Sequence, residues 1–227
     1  MQRQIGIISD GETDYRVFKK IIETLLSTQV NVIDLRRQTL HDAVDKYWKD
    51  INKNSEYLQK AVKGILNTAK VDFLSEIESD YLTCHDIILL TTDAEKCCAS
   101  LNNESIYWEC NSRYFAILNC LIAAVRDFCA IQYAQGVSPA HLPMIIPIVT
   151  FPAIEPFLLI AKNEKLSNIN GKKPAELKRL LYKTDNPTGQ DIEQAIERIQ
   201  KNQIYEILKI IPESRFLIQT LLLLSKL

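Results

Sequence analysis

Glycine-rich phosphate loops are missing from this sequence. Neither G-x-x-x-x-G-K-[ST] nor G-x-G-x-x-G occurs among its 6 glycines, which sets aside P-loop NTPases and dinucleotide-dependent dehydrogenases. Charge bias is missing too: 27 Lys and Arg stand against 28 Asp and Glu, so any contact with a polyanion has to come from a local patch. The 6 cysteines (Cys84, Cys97, Cys98, Cys110, Cys120 and Cys129) show no C-x-x-C pair, which excludes the common zinc spacings and leaves reduced, mostly buried thiols as the expectation. His41, His85 and His141 lie far apart and in no ligand motif, so each is expected to be structural or superficial. Long apolar runs are scarce as well. Ile5 to Ser9 is too short for a signal-peptide core, and Phe216 to Leu224 falls short of the ~20 residues of a membrane span. The expectation is a cytoplasmic protein with no membrane segment.

What is present is an alternation of strand and helix patterns. Ile5 to Ser9 reads as a short buried strand that runs into the polar turn Asp10-Gly-Glu-Thr-Asp14. Thr13 is the expected N-cap of a helix whose Val17, Phe18, Ile21, Ile22, Leu25 and Leu26 form one apolar stripe. A second strand is expected over Val30 to Leu35. A Lys- and Glu-rich helical insert at about 40–80 follows, broken near Asn52 to Ser55 and expected to face mostly solvent. Asp86 to Thr92 is a continuous apolar run, the pattern of a strand buried on both faces. A long helix over Ser112 to Tyr133 and a fourth strand over Met144 to Phe151 complete the core. Pro147 assigns that last strand to an edge or a bulge, since proline cannot donate a ladder hydrogen bond. Beyond Pro156 the pattern is helical. The expected fold class is α/β: a Rossmann-like open, mainly parallel sheet flanked by helices, with a helical carboxyl-terminal portion. The expected division is a core over 1–162 and a helical extension over 163–227.

In open parallel sheets, sites form beyond the carboxyl ends of the strands, where Asp10, Glu12, Asp14, Asp93 and Glu95 all fall. If the first and third strands are neighbours, their two loops bring several carboxylates together. A divalent cation, Mg²⁺ or Mn²⁺, is the simplest relief of their repulsion. Such a site suits phosphoryl or phosphodiester chemistry. The plain alternative is that these acids cap helices and solvate turns.

The stretch Ile7-Ile-Ser-Asp-Gly-Glu-Thr-Asp-Tyr-Arg-Val-Phe18 resembles the opening of Toprim-type domains, and Leu89-Leu-Thr-Thr-Asp-Ala-Glu95 resembles their second signature, a strand ending in a pair of acids. Pro152-Ala-Ile-Glu-Pro-Phe-Leu-Leu159 and the helix from Ser214-Arg-Phe216 are similar to segments of small Toprim-like proteins linked to phage defence or restriction systems. The resemblance implies a Toprim-like core. It implies Asp10 or Glu12 in acid/base catalysis, Asp93 and Glu95 with Asp14 as ligands of Mg²⁺ or Mn²⁺, and Glu155 in support. It also brings in nucleic acid as substrate and a partner protein encoded nearby. The chain departs from the family in having Asp10 where Glu is usual and Glu95 where Asp is usual. Both remain carboxylates, but a shift of about 1 Å in a positioned group can cost on the order of 100-fold in rate. A catalytically degenerate binding or scaffold protein is therefore the rival expectation, and a small-molecule phosphatase a third.

Two secondary features complete the reading. Glu155 precedes Pro156, so its carboxylate also suits a helix amino terminus for purely structural reasons. Between Lys162 and Lys183 stand seven basic residues (Lys162, Lys165, Lys172, Lys173, Lys178, Arg179 and Lys183) against Glu164 and Glu176. Lys172, Lys173, Lys178 and Arg179 are the candidate phosphate contacts, the alternative being a solvated basic face. The apolar carboxyl terminus is compatible with a homodimer or with burial inside the monomer.

Overall fold

Apolar runs set the order of the sheet. In the computed structural model, which describes residues 3–26, 30–49, 54–94, 106–184, 186–210 and 215–224, four strands form one parallel sheet in the order β2-β1-β3-β4. They are β1 (Arg3–Ser9), β2 (Val30–Asp34), β3 (Ile87–Asp93) and β4 (Met144–Thr150). The two strands with unbroken apolar cores take the middle. Ile5, Ile7 and Ile8 of β1 and Ile87 to Leu90 of β3 are all buried, because a central parallel strand is covered on both faces. Pro147 lies on the edge strand β4, as its missing N–H requires.

The helices are α1 (Glu12–Leu26), α2 (Gln38–Lys49), α3 (Ser55–Glu76), α4 (Ile106–Ala134), α5 (Glu155–Ala161), α6 (Leu166–Ile169), α7 (Pro174–Tyr182), α8 (Gly189–Ile196), α9 (Lys201–Ile210) and α10 (Arg215–Leu224). A short 3₁₀ turn, Pro139–His141, precedes β4. Thr13 is not the cap of α1. The Gly11 carbonyl already accepts the Tyr15 N–H at 3.2 Å, so the helix begins earlier and Thr13 lies in its first turn. The apolar stripe of α1 is buried throughout.

Contacts divide the chain into two units. The first comprises Met1–Tyr15, Gln29–Thr92 and Tyr114–Val149; the second comprises Arg16–Thr28, Asp93–Arg113 and Thr150–Leu227.

In the first unit the Lys- and Glu-rich insert is not the solvent-facing segment its composition suggested. Helix α2 buries Leu40, Ala43, Val44 and Tyr47, and α3 buries Leu58, Val62, Ile65, Leu66, Ala69 and Phe73. Long polar side chains occupy one face of each helix while the apolar positions recur at helical spacing on the other, so a charged composition is compatible with a buried face. The two helices pack on each other, with Lys46 over the Tyr57 ring at 4.6 Å, and Phe73 lies close beside Gly6 of β1. One stretch of α4, Tyr114–Ala134, is long and apolar enough to cross a membrane by length and composition. Its polar residues are nonetheless tied to α3: Lys70 Nζ donates to Gln132 Oε1 at 2.6 Å, and Lys63 Nζ meets Asp127 at 3.5 Å.

In the second unit Phe18 meets Phe157 edge-on at 5.8 Å, Arg16 pairs with Glu193, and α5 is buried along its whole length against α7 and α9.

The cysteines depart in part from the expected buried set. Cys120 is buried and Cys129 half-buried, but Cys84 is exposed, and Cys97, Cys98 and Cys110 lie outside the described side chains. Burial pushes both the Cys120 and Cys129 thiols up, an effect that hydrogen bonds with Tyr47 and Gln59 partly offset at Cys120. The thiolate is the reactive form, so iodoacetamide at neutral pH is expected to label Cys84 at least about tenfold faster than Cys120. Peptide mass spectrometry of timed samples checks this, and equal rates would mean that α4 is not docked on α2 and α3.

Candidate functional site

Parallel pairing places the carboxyl ends of β1 and β3 side by side. Ser9 stands opposite Thr91, and on the other flank Ile7 stands opposite Asp34 of β2. The chain leaves β1 through a turn that is locally fixed, since Ser9 Oγ donates to the Gly11 carbonyl at 2.9 Å. Beyond β2 the backbone goes on pairing with β1: Leu35 N–H donates to Ile7 O and Arg37 N–H to Ser9 O, both at 2.9 Å. That short extension delivers the start of α2 to the end of β1.

Asp10 is the focus of this edge. Its Oδ2 accepts the Thr92 hydroxyl at 2.7 Å across 82 positions of sequence, and the same oxygen lies 3.7 Å from His41 Nδ1. The Asp10 side chain is 4% exposed and that of His41 28%. Asp14 is buried as well, with its carboxylate against the Gly11 backbone, where an added Cβ would come within 3.2 Å of Oδ2. Glu12 lies apart from them. It is 68% exposed and pairs at 3.3 Å with Arg36, which also donates to Asp34 at 2.7 Å and sits over the Tyr15 ring.

Asp93 is the last residue of β3, directly after Thr92, and Glu95 lies outside the described residues. Among the described residues no group of three or more His, Cys, Asp or Glu side chains is arranged to hold a metal ion. Of the five acids expected at the strand ends, Asp14 is buried and the Asp10 side chain is enclosed in the first unit, Glu12 pairs with Arg36, Asp93 closes β3, and Glu95 lies outside the described residues.

Glu155 is the first residue of α5, followed by Pro156, and is buried. The candidate phosphate contacts are placed by capping. Lys173 is the N-cap of α7 and its N–H donates to Glu176 at 2.8 Å; Lys172 precedes it, and Lys178 and Arg179 lie on α7. In the second unit Lys162 Nζ donates to Leu181 O at 3.3 Å. Burial first, then the like charges of Lys183 and Arg198, holds its ammonium below the ordinary lysine value.

Two participants escaped sequence reasoning. His41 has no motif, and only the pairing beyond β2 brings it to Asp10. Arg198 lies past the basic segment and joins Lys162 through the folding of the carboxyl-terminal helices. His85 is exposed and His141 stacks on Tyr81 at 4.3 Å, in keeping with the superficial roles expected of them. Protein-family models, curated proteins and solved structures offer no match to this chain.

Proposed function

We propose that this chain is a divalent-metal-dependent phosphotransfer or phosphodiester-cleaving protein of Toprim-like fold, working at the carboxyl edge of β1 and β3 on a nucleic-acid substrate. The observation that carries the reading is the Thr92 to Asp10 hydrogen bond, 2.7 Å long, which ties the ends of two adjacent parallel strands together one residue before Asp93. Strand ends of this kind are where α/β sheets build their sites.

Asp93, Glu95 and Asp14 are the proposed ligands of Mg²⁺ or Mn²⁺, and Asp10 is the acid around which proton transfer is organised. Glu12, which pairs with Arg36 at 3.3 Å, is the alternative acid for that role. The donor set fits a hard cation: carboxylate oxygens suit Mg²⁺ and Mn²⁺, and Mg²⁺ keeps several waters while resting on only one or two carboxylates. When bound, such an ion polarises a phosphoryl oxygen and offsets the charge that develops during displacement. The chain itself supplies a rigid edge, held by the Ser9, Thr92 and Arg37 hydrogen bonds, that orients the acids.

A binding or scaffold protein that has kept the fold and lost the chemistry is the second reading, favoured by the capture of Glu12 by Arg36. Titration calorimetry of the full chain with MnCl₂ separates the two. The metal-dependent reading expects saturable heat, together with cleavage of a single-stranded DNA or RNA oligonucleotide that EDTA abolishes. Absence of both heat and cleavage would leave the scaffold reading standing.

A further inference from the structure

Three helices that pack on one another in the second unit each lead into a cation. Helix α5 stops at Ala161 and is followed by Lys162, α7 stops at Tyr182 and is followed by Lys183, and α8 stops at Ile196, shortly before Arg198. Lys162 Nζ donates to Leu181 O at 3.3 Å, which fixes its ammonium at the end of α7. Lys183 closes the same end. Its N–H donates to Arg179 O at 2.9 Å and its φ of 65° is left-handed, a conformation that glycine adopts at less cost. A cation therefore stands where the backbone alone would favour a residue with no side chain.

Like charges gathered in this way repel one another. Burial first, then Lys183 and Arg198, acts against the charged form of Lys162, and Glu164 is the opposing charge that supports it. Glu164 is itself engaged, since its Oε1 accepts Asn168 Nδ2 at 2.6 Å. Three cations thus face one carboxylate. The Lys183 and Arg198 side chains are exposed, and among the described residues they enter no hydrogen bond or ion pair.

We propose that Lys162, Lys183 and Arg198 form a binding site for a phosphate group. An oxyanion between them turns mutual repulsion into attraction, with two ammonium groups as point charges and a planar guanidinium able to donate twice. Lys172 and Lys173 are not part of this site. They precede α7, whose nine residues place them about 13 Å along its axis from Lys183. The plain alternative is that the cations only offset the carbonyl ends of their helices. That role accounts for Lys162, which has Leu181 O, but provides no such carbonyl bond for the side chains of Lys183 and Arg198. Neither the β1 edge nor a metal ion is needed, so the site stands or falls separately from the metal-dependent activity.

The test uses the full chain in EDTA, which excludes cleavage, with two probes: inorganic phosphate by titration calorimetry, and a fluorescein-labelled single-stranded DNA oligonucleotide by anisotropy. Lys183→Gln and Arg198→Gln are each expected to weaken binding by about 10-fold, the loss of one charge-assisted contact. Each is also expected to reduce the salt slope of oligonucleotide binding by about 0.7. Lys60→Gln, an exposed cation of the first unit, is the control and is expected to bind as the parent does. Both test residues are exposed, so their variants are expected to fold, and urea melts confirm it.

Oligonucleotide binding that phosphate displaces at constant ionic strength, and that both variants weaken, would support the site and identify a nucleic-acid backbone as the source of the phosphate. Saturable phosphate binding that both variants weaken, without oligonucleotide binding, would support the site with free phosphate or a small phosphate ester as its ligand. Binding of both probes unchanged in folded Lys183→Gln and Arg198→Gln would overturn it, and a fall in their stability alone would return the cations to the helix ends. Absence of binding of either probe to the parent would overturn it as well, and would leave the metal-dependent reading where it stands.

Discussion

Asp93→Asn is expected to reduce Mn²⁺-dependent cleavage by about 1,000-fold or more while unfolding free energy changes by no more than about 1 kcal/mol. The amide is nearly isosteric with the carboxylate, so packing at the end of β3 is preserved. What is lost is a full negative charge and a hard oxygen donor. If Asp93 is a ligand, calorimetric Mn²⁺ affinity and cleavage fall together, because the group holds the ion in the ground state and through the displacement. Measured rates with and without EDTA, alongside a urea melt of each protein, separate this from misfolding. Cleavage that persists undiminished in the folded variant would remove Asp93 from the site and with it the resemblance-based assignment of the β3 acids.

Gly6→Val is expected to cost about 3 kcal/mol or more of stability, enough to deplete soluble protein, and Gly6→Ala about 1–3 kcal/mol. Gly6 sits in the middle of β1, opposite Ile33 on one side and Ile88 on the other. A Cβ there would stand 2.4 Å from Leu35 Cδ1 and 3.2 Å from the Phe73 ring. Both neighbours are fully buried and have nowhere to go. Glycine is thus required at this position for close approach, not for backbone freedom, because α3 lays Phe73 directly on the strand. Gly64, in the middle of α3, is the control: nothing lies within 4 Å of its added Cβ, so Gly64→Ala is expected to stabilise by about 0.5–1 kcal/mol. Urea denaturation with the slope held fixed reads both. A Gly6→Ala variant as stable as the parent would mean that α3 does not cover β1.

The two predictions meet at one structural fact. Phe73 and Leu35 clamp the middle of β1, and hydrogen bonds from the segment just after β2 clamp its end, so the edge bearing Asp10 is backed by a rigid strand. Positioned acid/base groups need such a support, since small misplacements are costly. His41 gains its position from the same segment, because Arg37 N–H is bonded to Ser9 O and α2 starts one residue later.

Much of the scaffold was legible before any coordinates. The unbroken Ile and Leu runs of β1 and β3, the stripe of α1 and the proline of β4 each state a local requirement: burial on both faces, burial on one, or a missing donor. Neighbouring residues impose such requirements through periodicity, so the sequence alone determined the strands, most of the helices, the parallel α/β class and the candidate acids at the strand ends. Burial of the insert follows from the helical spacing of its apolar residues and not from its charged composition. Only the tertiary structure decided which acids stay together. It enclosed Asp10 with Thr92 and His41, and it drew Glu12 away to Arg36. It also crowded Lys162 with Lys183 and Arg198. Those outcomes depend on strand order, on the register of β2 beyond its last residue and on how helices stack. These are properties of contacts between distant segments, and no local pattern encodes them.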